Sequence, residues 1–367
     1  MSLNLYNISK NQTTVFKGIG MLCIVLHNFF HWANTIGENE FTFENEHIYT
    51  LLIHLKNDPG GFINYFFTYF GHFGVQIFIF ASGYGLAKQF MNNKPSGYGR
   101  YITPKLLKIY VLMVFGLMCY FAILYPFGRI NTDIFFSFAS STLLLYNNFS
   151  YDTILYYPHS GTWWYFSLII QLYLIFPLLY NLLNKYKMKG FYISLVGSVI
   201  LIYVLLPLTE SFNFPIFGNF VGHLPEFILG IGLAMFKDIR LKYKTVLPAA
   251  LIVFILSNFY QYIHPLSFLS ATVLIMILLY PLCDKLPKLI EKPIYFIGTI
   301  SMFMFVINSM VRAYTSIYIY GKSQLYIFVL ALIHLSIVIF ISYIACIIYK
   351  ITFSPLLNKA IKAIQKR

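Results

Sequence analysis

Charge is what this chain has least of. Only 10% of its 367 residues are Asp, Glu, Lys or Arg, against 59% hydrophobic, and mean hydropathy is +0.70. Soluble domains carry roughly 25% charge, so a water-facing globular surface is excluded. Acids are scarcer still: 12 Asp and Glu stand against 26 Lys and Arg, for a net charge of +14. That excess does not describe a nucleic-acid binder, because the cations are spread over short loops between apolar runs, where they report membrane orientation. Cysteine is nearly missing. Cys23, Cys119, Cys283 and Cys346 lie in or at the end of apolar runs without metal-type spacing, and read as small buried hydrophobes. There is no long linker, low-complexity tract or soluble appendage. Residues 1–14 are polar and the first apolar run lacks a small-residue exit, so that run is expected to be retained as a span rather than cleaved. One integral-membrane domain is expected over 1–367, with a basic tail from about 351 to 367.

What is present is apolar length. Runs long enough to span lie near 15–33, 62–87, 104–126, 163–184, 191–209, 221–236, 246–263, 265–281, 293–317 and 325–350. The expected class is therefore all-α: a polytopic bundle of about ten transmembrane helices. A shorter run, 132–147, is ambiguous by length, and charge decides it. With ten spans and a cytoplasmic N-terminus, 22 of the 26 basic residues fall inside, and only Lys56, Arg129, Arg312 and Lys322 fall outside. Counting 132–147 as a span would invert every later loop, so it is read as re-entrant or interfacial on the outer side. Both termini are then cytoplasmic. The tail is expected to form a short basic amphipathic helix on the inner leaflet. The acidic segment GENEFTFENEH from Gly37 is read as a solvated outer loop, with acceptor contact as the alternative.

The segment KGIGMLCIVLHNFFHW, residues 17–32, carries the sharpest signal. Ten residues separate Lys17 from His27, which puts the imidazole ~15 Å deeper, near the centre of a ~30 Å hydrocarbon core. An ionisable group at that depth is costly and marks function. His27 and His31 stand one turn apart on one face, beside Asn28. Such a pair suits zinc, but no third ligand is evident nearby, so no metal is expected. A structural pair and a catalytic base both remain open at this point. A neutral buried imidazole suits general-base work on a hydroxyl.

Other features are weaker alone. In GHFGVQIFIFASGYGLAKQ the four glycines read first as close helix packing and second as space for a ligand at Ser82 and Gly83. Lys105 and Lys108 of TPKLLKIY form, with Lys17, Lys88 and Arg100, a cationic rim. Positive-inside flanking explains it as well as a dock for the phosphates of coenzyme A. Trp163 and Trp164 fall where an aromatic belt is expected. Gln171 and Pro177 follow in the same span, and Glu226 of GHLPEFILGIGLA is expected to face the bundle interior.

In this order the segments resemble the membrane-bound acyltransferase family 3, which includes bacterial O-acetyltransferases of surface glycans. The resemblance covers roughly residues 10–350. KGIGMLCIVLH resembles the first-helix motif, GVQIFIFASGYGL the second-helix motif and TPKLLKIY the basic pair before the third helix. WYFSLIIQLYLIFPLL, PEFILGIGLA and GTISMFMFVIN resemble three later motifs. The resemblance implies a cytoplasmic acyl-CoA donor, a glycan acceptor near the outer face and an essential first-helix histidine. It makes His27 the catalytic candidate with His31 as the alternative, and Lys17, Lys105, Lys108 and Arg100 the acyl-CoA-binding set. Asn28, Gln76, Ser82, Trp164, Glu226 and Asn308 are supporting candidates. The chain departs from the family pattern in places. Lys17 replaces an arginine, Asn28 stands where the histidine often lies, Gln76 and Ile169 replace acids, and Asn308 replaces a late histidine.

The expected function is transfer of an acyl group, acetyl for preference, from acyl-CoA to a hydroxyl of a cell-envelope glycan or lipid-linked saccharide. The expected setting is the bacterial inner membrane, with the bilayer itself as a partner and nucleic acid excluded. Acetyl-CoA is a co-substrate and no cofactor is held permanently. The alternatives are a transporter or flippase, disfavoured by the lack of an internal repeat, and a catalytically inactive membrane scaffold.

Overall fold

The first helix begins because Ser9 caps it. The Ser9 hydroxyl accepts from the Gln12 backbone N–H at 3.1 Å, and the Gln12 side chain accepts from the Ser9 N–H at 2.8 Å. From that start α1 runs over Lys10–Ala33, which at ~1.5 Å per residue is ample for a bilayer core. The computed structural model describes residues 2–34, 36–156 and 161–366; residue 367 of the expected tail lies outside the described residues. After α1 come α2 (Asn45–Asn57), α3 (Phe62–Phe70), α4 (Gly74–Asn92), α5 (Tyr98–Leu124), α6 (Thr132–Leu143), α7 (Tyr151–Tyr156) and α8 (Trp164–Ser211). The chain ends with α9 (Leu224–Met235), α10 (Val246–Ser257), α11 (Ser267–Cys283), α12 (Lys288–Thr315) and α13 (Gln324–Lys366). Strand structure among the described residues is one two-residue antiparallel pair, Ser2–Leu3 against Leu241–Lys242.

This is an all-α, polytopic membrane protein. Six helices among the described residues are long and apolar enough to cross a membrane: Lys10–Ala33, Tyr98–Phe127, Trp164–Ser211, His264–Cys283, Lys288–Tyr318 and Gln324–Ile364. Phe220–Met235 and Val246–Ser257 are apolar but shorter. Two apolar runs depart from simple rods. The 48-residue α8 holds two of the expected runs, separated where Lys187 leaves helical geometry at φ 53° and ψ −135°. The run at 62–87 is split into α3 and α4 by a 3-10 turn at Gly71–Phe73. The turn lies where this segment crosses α1 closely: a Cβ on Gly71 would come 2.6 Å from the His27 Cβ, and one on Gly74 2.6 Å from the Gly20 carbonyl oxygen. Small residues allow that approach. Gly83 meets the Phe227 carbonyl of α9 in the same way, so packing accounts for most of the glycines in 71–85.

The loops sort into two ends. At one, the strand pair ties residues 2–3 to 241–242, Asn4 Nδ2 donates to the Lys237 carbonyl at 2.6 Å, and Gln12 Nε2 donates to Asp284 Oδ1 at 2.7 Å. This is the end rich in Lys and Arg. At the other, Asn64 Nδ2 donates to the Gln324 carbonyl at 2.8 Å, Tyr151 Oη to the Phe41 carbonyl at 3.2 Å, and Asn148 Nδ2 to the Gly218 carbonyl at 2.8 Å. Both ends of α6 return to this second, acid-rich end. Tyr314, in the last turn of α12, bonds to the Ile123 carbonyl just before α6, and Asn148 follows just after it. With 12 residues α6 is ~18 Å long, too short to cross.

Two expectations about surfaces do not hold. Trp163 and Trp164 do not form a lipid belt; they are 0% and 5% exposed, within the bundle. Nor does the tail form a separate surface helix. It continues α13 through Pro355, and Phe353, Leu357 and Ile361, spaced four apart, make one stripe whose first member packs 5.5 Å from Phe115 of α5.

Candidate active site

His27 lies six residues before the end of α1 and seventeen after its start, so it belongs to the acid-rich half rather than the middle of the helix. Its side chain is buried, and Nδ1 stands 3.1 Å from the Phe67 carbonyl oxygen of α3. That oxygen only accepts, so Nδ1 carries the hydrogen and Nε2 keeps its lone pair. His31, one turn on, is half-buried; its Nδ1 contacts Glu38 Oε2 at 2.6 Å. The His27 and His31 rings are 5.7 Å apart.

The acidic loop after α1 is not simply solvated. It folds back over the helix end and places Glu38 and Glu40 beside His27, with one ligand-type atom of each within 4.8 Å of the others. Buried Asn39 pins the loop: its Oδ1 accepts from the Glu44 backbone at 3.0 Å and meets His47 Nδ1 at 2.8 Å. The two carboxyls differ sharply. Burial alone would raise Glu38, but the hydrogen bond and charge of His31, with His27 and His72 behind it, hold its carboxyl at about 2. Burial and the neighbouring Glu38 charge push Glu40 up to about 8. At neutral pH Glu38 is therefore ionised and Glu40 holds a proton. One imidazole nitrogen and two carboxylates form a donor set of a kind that binds divalent zinc. No third ligand is evident beside the histidine pair in sequence; the loop supplies two carboxyl groups next to His27.

His72 completes the group. It is buried in the 3-10 turn between α3 and α4, with its ring 5.6 Å from that of His27. Gln76, one turn later, is also buried and its Oε1 has no hydrogen-bond partner. Beside them lies an apolar cavity of about 360 Å³ between α1, α3, α4, α10 and α11. It runs along α1 from Ile19 through Cys23 to the Phe67 and Gly71 level at His27.

The remaining candidates occupy other places. Glu226 is buried in the first turn of α9, 4.0 Å from His223, whose Nε2 bonds to the Phe217 carbonyl at 2.7 Å. Trp164 stacks on His223 at 6.1 Å and meets Phe41 of the acidic loop edge-on at 5.2 Å. The loop thus roofs this second cluster as well. Asn308 faces His334, with Oδ1 accepting from Nε2 at 3.0 Å. Asn28 turns away from His27: its Nδ2 donates to the Ile24 carbonyl and its Oδ1 accepts from Arg312. Ser82 is eleven residues beyond Gly71 on the same chain, ~16 Å toward the basic end. There it lies within hydrogen-bonding reach of Tyr165 and Tyr173.

The cations gather at the basic end. Arg100, Lys105 and Lys108 are on the first turns of α5. Arg100 Nη1 donates to Ser96 Oγ at 2.6 Å, Lys105 Nζ donates to Gln89 at 3.1 Å and lies over Tyr101 at 5.1 Å, and Lys108 is exposed. Lys17 is half-buried on α1, ten residues below His27.

A helical membrane protein with a buried histidine–carboxylate group at one end and a cationic rim at the other is the class these observations define. The acyltransferase 3 family model, described as an acyltransferase domain, matches residues 13–351, and the chain belongs to that family. No curated protein sequence and no solved structure gives a significant match.

Proposed function

We propose that the protein is a ten-span inner-membrane O-acyltransferase. It moves an acyl group, acetyl for preference, from acyl-CoA at the basic, cytoplasmic end to a hydroxyl of an envelope glycan or lipid-linked saccharide at the outer end. The observation that carries this reading is the state of His27 in a chain of this family: a buried imidazole whose Nδ1–H is fixed on a carbonyl and whose Nε2 is left as a base.

Arg100, Lys105, Lys108 and Lys17 would hold the CoA phosphates. The thioester end extends along α1 through the apolar cavity, from the turn of Lys17 to that of His27. Nε2 takes the proton from the acceptor hydroxyl as its oxygen attacks the thioester carbonyl. The C–S bond breaks, and the CoA thiolate leaves with the proton that the imidazolium returns. Direct transfer needs no acyl-enzyme. The His31–Glu38 pair fixes the loop against the site and stabilises the imidazolium that forms. Gln76, Trp164, Glu226 and Asn308 shape the surrounding interior.

Purified protein given labelled acetyl-CoA and an envelope-glycan extract tests the reading, alongside mass spectrometry of surface glycans from a deletion strain. The expected result is label in the glycan and loss of one acyl substituent in the deletion. Glycan or solute flux with no acyl transfer would replace the reading with transport.

A further inference from the structure

Arg312 is a buried cation with no anion beside it among the described residues. It sits in the last turns of α12, 5% exposed, at the acid-rich end. Among the described residues the ion pairs are His31–Glu38, His47–Glu44 and His223–Glu226, and none involves Arg312. Its contacts are carbonyl-type and aromatic. Nη1 donates to the Asn28 backbone oxygen at 3.2 Å and to Asn28 Oδ1 at 3.1 Å, and the guanidinium lies 5.1 Å over the Trp32 ring. The Nε–H is buried and unpartnered. One turn earlier on the same face, the Asn308 side chain gives its oxygen to His334 and leaves Nδ2 buried and unpartnered. Two neighbouring N–H donors, one of them charged, are therefore left without an acceptor among the described residues. Burying a guanidinium without a counter-charge is strongly unfavourable, and arginine's fork matches carboxylate and phosphate oxygens. The way in is short: Asn28, His31 and Trp32 are all partly exposed along one face of α1, His31 at 40% and Trp32 at 38%.

We infer that Arg312 and Asn308, with Asn28 and Trp32, form an anion-binding subsite that recognises an acidic group, phosphate or carboxylate, on the saccharide acceptor. This rests on the acyl-transfer reading for the word acceptor, but the binding event does not depend on it. Asn28 is the residue after His27, so an anion held there places the attached sugar at the mouth of the His27 site. The subsite explains why α1 carries Asn rather than a second histidine at 28: it clamps the guanidinium through both of its oxygens.

The test is ligand-dependent thermal stabilisation of the full-length protein in detergent. The probes are glucose 1-phosphate, methyl glucuronide and, as the neutral control, methyl glucoside. One anionic sugar is expected to stabilise the protein saturably and the neutral sugar is not; which anion does so separates phosphate from carboxylate. Arg312→Gln should weaken that response about tenfold or more, a loss of roughly 1.4 kcal/mol, while Lys189→Ala, at an exposed cation outside both sites, leaves it unchanged. Asn308→Asp guards against misfolding of the glutamine variant, since it places a carboxylate in the subsite while keeping an oxygen for His334. It should raise the melting temperature of the free protein and abolish the anion response. Equal responses to all three sugars, or a full anion response in Asn308→Asp, would overturn the subsite. A sound anion response with no acyl transfer would leave the subsite standing and remove the acyl-transfer reading instead.

Discussion

The two ends of the bundle hold charge in opposite ways. At the basic end the cations are mostly half-buried or exposed, and those with partners are steadied by neutral groups, as Lys105 is by Gln89 and Tyr101 and Lys88 is by the Tyr6 ring at 3.6 Å. At the acid-rich end the charges are folded inward. Glu38, Glu40, His27, His31 and His72 share one compact group, and Arg312 is buried one face away. The difference separates two tasks. A solvated rim captures a polyanionic ligand and lets it go. A desolvated, pre-arranged group strengthens every electrostatic interaction within it and suits bond-making.

The largest effect should come from breaking the inward end. His27→Gln keeps a polar side chain of similar reach but removes the base, and the acyl-transfer rate constant should fall about a thousandfold, within the range for loss of a general base. His31→Gln leaves the Nε2 of His27 in place and should cost less, about tenfold, through a loosened Glu38 loop. Rate measurements with labelled acetyl-CoA on both variants decide between the two histidines. Equal losses would mean that neither is the sole base.

Next in size is the effect of pH on the carboxyl pair. Glu40 sits at about 8, above the ordinary glutamate value, so the stability it contributes is complete below about 4.5 and is lost as pH rises through 8. Glu38, held at about 2, contributes in the opposite sense: its stability is present above about 4.5 and is lost only as pH falls through 2. Melting temperature should therefore decline from about pH 4.5 to 8 and level off above, and activity should fall around pH 8, where Glu40 ionises against Glu38. Glu40→Gln should flatten that limb. A decline that survives in Glu40→Gln would assign it to another group. The same pair makes chelation informative. With His27 as base, activity should withstand prolonged dialysis against a strong chelator. Loss that zinc restores would turn His27 from base to ligand.

The basic end was more legible from sequence than the acid-rich end. Cations at short loops follow one rule, and the strand pair at 2–3 and 241–242 and the Gln12–Asp284 bond gather those loops together as that rule requires. Apolar length likewise announced the helices, and the run 132–147, which charge parity set apart from the spans, forms a helix of 12 residues. What sequence did not show was contact between elements distant along the chain. His72 looked like one residue of a glycine-rich packing segment, because nothing local says that Gly71 lies against the His27 Cβ. Glu38 and Glu40 looked solvated, because loop acids usually are; their burial depends on Asn39 pinning the loop and on His31 meeting Glu38. Trp164 reads in sequence as an interfacial anchor, whereas its ring stacks on His223 inside the bundle. A usable signal did exist: eight acids lie outside the long apolar runs on the second end, and two of them follow directly after the helix with the paired histidines.

The smallest effect should come from the rim. Lys105 gives its ammonium to Gln89 and two tyrosine faces, Tyr101 at 5.1 Å and Tyr173 at 5.6 Å, and to no carboxylate. Such an arrangement holds the charge in place without neutralising it, so it stays available to a phosphate. Lys105→Ala should raise KM for acetyl-CoA about three- to tenfold and leave kcat within twofold, the pattern of binding lost equally from ground and transition states. The effect should shrink as ionic strength rises, since half-exposed charges are screened. Lys108→Ala should behave alike but more weakly, because that side chain is exposed. A fall in kcat with KM unchanged would mean that the rim takes part in the chemistry, and the division of labour between the two ends would not stand.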